Sequence, residues 1–141
     1  MPSIPISFHS EDIKFVLSSK KSIKHWVQQV VLSEKLKLGP ISYIFCNDRY
    51  LHEVNVKYLN HDTYTDIITF DYSEDKTVSG DLFISYERVK ENARVFKTSI
   101  NDELHRVMIH GVLHLCGYGD KSDKEKMIMR QKEENCLQLI F

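Results

Sequence analysis

The sequence predicts an α+β fold, a small mixed β-sheet of about four strands packed with about five helices. Three observations predict it. Runs rich in β-branched and aromatic residues alternate with segments whose apolar residues recur at helical spacing. Two of the β-rich runs are joined by a polar loop that suits a hairpin, whereas the other runs are separated by helical patterns. The last part of the chain reads as two successive helices. At 141 residues, with no internal repeat, low-complexity segment or linker-like run, residues 1–141 are expected to form a single domain.

The elements follow in order. Ile4-Pro5-Ile6-Ser7-Phe8 reads as a short strand. From about Ser22 to Leu36, Ile23, Trp26, Val27, Val30 and Val31 mark one face of an amphipathic helix, which Gly39-Pro40 is expected to stop. Ile41 to Cys46 is a second strand. Asn47-Asp48 can cap a helix over about Arg49 to Leu59, with Leu51, Val54 and Tyr58 inward. Ile67 to Tyr72 and Asp81 to Ser85 are further strands, joined by the polar loop Ser73 to Gly80. Tyr86 to Phe96 looks helical. Asn101 is the expected N-cap of the next helix, with Asp102 and Glu103 in its first turn, and Gly117 ends it after Cys116. Ser122 and Glu125 have capping-box form and open a final helix to about Leu139.

Composition narrows the function classes. The chain is 42% hydrophobic and 28% charged, and no apolar stretch is long enough for a membrane span. The N-terminus lacks the basic and apolar regions of a secretory signal, so the expected location is the cytoplasm, with no membrane partner. Cys46, Cys116 and Cys136 are odd in number, scattered and without CxxC pairing, which fits small buried thiols rather than a disulfide framework or thiolate zinc knuckle. A net charge of −1 gives no global attraction to nucleic acid, although a local basic face would suffice for RNA.

The segment Met108 to Asp123, MIHGVLHLCGYGDKSD, carries the chemistry. His110 and His114 lie four apart on a predicted helix, so both imidazoles leave the same face one turn apart and can reach one ion. A catalytic zinc site needs three protein ligands and an open position. The third must come from chain that bends back, and Gly117 and Gly119 permit such a bend because glycine tolerates positive φ. Asp120 is the candidate there, with Asp123 its rival at the start of the next helix. His105 lies off the shared face and reads as an ordinary exposed histidine. The residue after His110 is Gly111, where HExxH proteases carry a glutamate base, so peptide hydrolysis of that kind is not expected.

His110-Gly111-Val112-Leu113-His114-Leu115-Cys116-Gly117-Tyr118 closely resembles the YbeY family signature HGxLHLxGYDH. Upstream, Thr65-Asp66-Ile67-Ile68-Thr69-Phe70 resembles its T-D-V-L-S-F block, and Gly80-Asp81-Leu82-Phe83-Ile84-Ser85 its G-D-I-x-I-S block. The resemblance covers roughly residues 40 to 135. It implies one Zn2+, zinc-dependent cutting of single-stranded RNA, and a role in ribosomal RNA maturation and ribosome quality control. The implied partners are a ribosomal RNA precursor and the small ribosomal subunit or its assembly factors, with no DNA expected. It also implies that position 120, histidine in the signature, ligates the metal; here it is Asp120, preceded by Gly119 in place of aspartate. Many members carry an RNA-contacting arginine where this chain has Leu59. Arg88, Arg94 and Arg106 are the candidate replacements.

The metal set is therefore His110, His114 and Asp120, and the candidate catalytic set is Asp66, Asp81 and Arg106. Asp66 reads equally as an orienting carboxylate and as a strand-start cap, and Asp81 as the same or a turn residue. Thr69, Ser85 and His61 are weaker candidates for contacting RNA. Two functions follow: a zinc-dependent endoribonuclease, or a ribosome-associated assembly factor whose metal is mainly structural.

Overall fold

A computed structural model of the chain describes residues 3–61 and 65–140. In chain order the elements are β1 (Ile6–Ser10), α1 (Lys20–Ser33), β2 (Lys37–Cys46), α2 (Asp48–Leu59), β3 (Ile67–Asp71), β4 (Thr77–Ser85), α3 (Tyr86–Val95), α4 (Ile100–Leu115) and α5 (Asp123–Leu137). This is the expected α+β architecture, with a four-stranded mixed sheet in the order β1-β2-β4-β3. β1 and β4 run parallel to β2, and β3 runs antiparallel to β4, which leaves β3 at an edge.

Side chains alternate between the two faces of the sheet. On one face Ile41, Tyr43 and Phe45 of β2 and Val78, Leu82 and Ile84 of β4 join Ile23, Val27 and Val30 of α1 and Leu104, Met108 and Val112 of α4 in the main core. On the other, Cys46, Leu51, Val54 and Ile68 form a smaller cluster with Tyr50, Phe70 and Phe83 at its margin. α4 lies against β3, β4, α1, α3 and α5, which buries most of its length and fixes the helix that carries both histidines.

Several boundaries differ from those expected. α1 ends at Ser33, and β2 starts at Lys37 and runs straight through Gly39-Pro40. A proline fits there because β2 pairs with β1 only from Ile41 onward, and the β2–β4 register shifts between Leu38 and Ile41. β4 begins at Thr77 rather than Asp81, because the hairpin turns tightly on Asp75 and Lys76, both at positive φ (48° and 65°). Such turns usually advertise themselves with Asn-Gly, so Asp-Lys hides this one. Tyr58 is exposed in the last turn of α2, edge-on to Phe70, and Asn55 takes the buried position. Ser99, not Asn101, caps α4 by accepting a bond from the Asp102 N–H at 3.0 Å. His105 is half-buried against Trp26, and that burial lowers its pKa.

Other local signals hold. Asn47 caps α2 through the Tyr50 N–H at 2.7 Å, and Ser122 and Glu125 form a reciprocal capping box on α5. All three cysteines are free thiols, and burial pushes Cys136 up to about 11 and Cys46 up to about 12. Among the described residues no helix is long and apolar enough to cross a membrane.

Candidate metal centre

The helical period brings the two histidines together. His110 and His114 leave α4 one turn apart, with ring centroids 4.6 Å apart and planes at 82°. Gly111, between them, faces the sheet. A Cβ there would lie 2.8 Å from Ile67 Cδ1 and 3.1 Å from Leu82 Cδ2, so α4 approaches β3 and β4 more closely than a larger residue allows. A glutamate of the HExxH kind would have no room here, because the position lies in the helix–sheet contact.

The third side chain arrives by the turn that ends α4. Gly117 adopts φ +108°, which turns the chain out of the helix. Gly119 does not have positive φ, contrary to the expectation from sequence. Its small size serves space instead, since a Cβ would fall on the Glu125 carboxylate that completes the capping box. Tyr118 pins the turn by donating its hydroxyl to Glu34 Oε1, while Lys132 of α5 reaches Glu34 Oε2 at 3.1 Å. Asp120 Oδ2 thereby sits 3.4 Å from His110 Nε2 and 3.3 Å from His114 Nε2. Asp123 instead opens α5 and is not part of this cluster.

These separations suit a metal ion. Three ligand atoms of His110, His114 and Asp120 lie within 4.8 Å of one another. Two ligands about 2.05 Å from a tetrahedral zinc are about 3.3 Å apart, close to both His–Asp distances. The same distances are long for a hydrogen bond to a carboxylate. Two imidazoles and one carboxylate match the donor set of an open zinc site.

Behind the pair lies a network of charges that the sequence did not reveal. Glu133 of α5, almost fully buried, meets His110 Nδ1 through Oε2 and Arg106 Nη1 through Oε1 at 3.1 Å. Arg106 also donates to both oxygens of buried Glu103, at 2.9 and 2.6 Å. Asp66 Oδ2 lies 4.0 Å from Arg106 Nη2. Burial lowers the pKa of His110, but the bond and charge of Glu133, with Asp66 and Asp120, outweigh it and leave the pKa raised. Burial raises Glu133, and His110 and Arg106 override that to lower it. For Asp66 burial prevails over Arg106 and His110, so its carboxyl is raised. Glu133 could have been suspected only from an acidic residue amid a helix known in advance to back His110.

An open groove of about 500 Å3 runs beside His114, lined also by Asn55, Leu59, His61, Thr65, Thr69 and Asp71. Leu59 thus stands in the groove, where the resemblance places an arginine. The candidate replacements are engaged elsewhere. Arg88 pairs with Asp48 at 2.8 Å, Arg94 with Glu91 at 2.6 Å, and Arg106 is held by Glu103 and Glu133. No lysine or arginine lines the groove among the described residues. Asp81 lies on the other face of the sheet, beside Tyr72, Phe70 and Phe83, with the Tyr72 hydroxyl 3.3 Å from Oδ2. Strand alternation separates it from Leu82, which faces α4. Ser85 is spent on capping α3 and on Asp48.

The profile of the Endoribonuclease YbeY family matches residues 5–140. The chain belongs to that family. A YbeY endoribonuclease from Flavobacterium psychrophilum is 54% identical, with 96% of each chain covered. One from Christiangramia forsetii is 49% identical over 96% of this chain and 94% of its own. The fold is also similar to a solution structure from Thermotoga maritima, with a TM-score of 0.68 and 27% identity over 96% of this chain and 88% of that one. The YbeY match takes in β1 and α1, which the motif blocks do not reach. It therefore includes Glu34, whose carboxylate pins the turn before Asp120.

Proposed function

We propose that this chain is a zinc-dependent endoribonuclease that cuts single-stranded RNA in ribosomal RNA maturation and ribosome quality control, in the cytoplasm. The observation that carries the reading is the meeting of His110, His114 and Asp120 at the side of an open groove, in a chain of the YbeY endoribonuclease family. His110 and His114 would hold the ion through Nε2 and Asp120 through Oδ2. When bound, the ion supplies electrophilic stabilisation of the charge that builds on a phosphodiester oxygen.

The rest falls to side chains. Asp120 in place of a third histidine makes the donor set more negative by one charge, which favours retention of a divalent cation and moderates its acidity. Asp66, 4.0 Å from Arg106 Nη2 and with its carboxyl raised by burial, is the candidate orienting carboxylate on the His110 side. Thr65, just before β3, and Thr69 within it offer hydroxyls, and His61 offers an imidazole in the groove. Arg106 and Glu103 brace the site from behind, and Asp81 is assigned no part in the chemistry.

A second reading, an assembly factor on the small ribosomal subunit with a mainly structural metal, is favoured by Leu59, because no arginine lines the groove among the described residues. One assay separates them. Nuclease-free protein is expected to cut a single-stranded RNA and spare its duplex, and His114→Ala, with an unchanged circular-dichroism spectrum, is expected to lose the cutting. Equal cutting by the variant would assign the activity to a contaminant and leave the second reading.

A further inference from the structure

We propose that Glu133 is a positioning residue for the metal centre: its carboxylate holds the Nδ1 proton of His110 and so aims the Nε2 lone pair at the ion. This rests on the metal-centre reading above and assigns a role to a residue outside the three ligands.

The geometry is specific. Glu133 has two carboxylate oxygens and each has a different partner. Oε2 meets His110 Nδ1, and Oε1 accepts from Arg106 Nη1 at 3.1 Å. On the opposite side of the same ring, His110 Nε2 faces Asp120 Oδ2 at 3.4 Å. A neutral imidazole carries one N–H, and a carboxylate can only accept, so Glu133 fixes the proton on Nδ1 and leaves Nε2 free to ligate. Such carboxylate–histidine–metal relays orient the ring and raise ligand basicity.

The carboxylate is itself held in place. Its side chain is 5% exposed, and it hangs from α5, a different element from the histidine it orients. Arg106 grips one oxygen while two of its other N–H groups bond Glu103, so Glu133 cannot swing without breaking a buried ion pair. The next residue back, Lys132, ties down the turn that delivers Asp120 through Glu34. Adjacent residues of α5 therefore support the helix half and the turn half of the site.

A merely structural Glu133 would serve Arg106 alone. Arg106 keeps both oxygens of Glu103 without it, which is why the fold is expected to tolerate substitution. The test compares Glu133→Gln and Glu133→Leu with the parent protein by three measurements: zinc affinity by chelator competition, the His110 ring 15N shifts in metal-free protein, and the metal-free thermal midpoint. The parent is expected to show the Nδ1–H tautomer. Glu133→Gln has one acceptor oxygen for the two donors of His110 and Arg106, so it is expected to weaken the tautomer preference, with zinc affinity reduced about 10-fold. Glu133→Leu cannot accept the Nδ1 proton and is expected to shift towards Nε2–H, with affinity reduced about 100-fold. If the leucine variant does not fold, the glutamine variant decides through affinity and tautomer. Parent-like zinc affinity in a folded variant would overturn the proposal, as would an Nε2–H tautomer in the parent. None of these readouts uses RNA, so the proposal can fail while zinc-dependent cutting stands, and the affinity series can hold while cutting is absent.

Discussion

The two halves of the candidate metal site are built differently. His110 and His114 sit on a helix packed against β3, β4, α1, α3 and α5, and their spacing is set by the helical period itself. Asp120 sits on a more exposed turn, its side chain 41% exposed against 17% for His110. Nothing periodic puts it there. Its position is set by Gly117 at φ +108°, by Tyr118 on Glu34, and by the capping box that begins α5. The helix half depends on core packing, whereas the turn half depends on a few polar contacts between distant segments. The first should respond to changes in volume, and the second to changes in hydrogen bonding.

Three substitutions sharpen that contrast. The largest effect is expected at Asp120→Ala, which removes the turn's ligand without touching the core. Elemental analysis should find stoichiometric zinc lost, while the metal-free protein keeps its stability to within about 0.5 kcal/mol. Unchanged zinc content would remove Asp120 from the site. Gly111→Val attacks the helix half by volume, since a Cβ added there would already meet Ile67 and Leu82. Denaturant unfolding should show a loss of about 2 kcal/mol from overpacking, and parental stability would mean that α4 is free to move off the sheet. Gly119→Asp restores the family's residue and is the mildest. It should displace Glu125 from the capping box and cost about 1 kcal/mol while zinc is retained. No loss of stability would show that the capping carboxylate is dispensable.

The same division explains what was legible in the sequence. The fold class and the histidine pair follow from local rules, and periodicity alone brings His110 and His114 together. Asp120 needed both the glycine turn and the family signature to suggest it. Glu133 and Glu34 were not visible, because their roles depend on how α5 and the end of α1 dock, and nothing within either segment records that. Strand alternation could have shown that Asp81 and Leu82 face opposite ways, but not which side carries the histidines. Arg106 read as a cation available to RNA; Glu103, three residues back on α4, was a legible partner, whereas only the packing of α4 against α5 brings Glu133 to it. The hairpin turn was obscured because Asp75-Lys76 lacks the usual glycine.

The proposed metal dependence of the endoribonuclease rests on the cluster of His110, His114 and Asp120. The most direct measurement strips the protein of metal with a chelator, removes the chelator, and follows cleavage of one single-stranded RNA as zinc is added back. The expected result is no cutting without metal and full recovery at one zinc per chain. Undiminished cutting by metal-free protein, or no cutting by fully loaded protein, would contradict it.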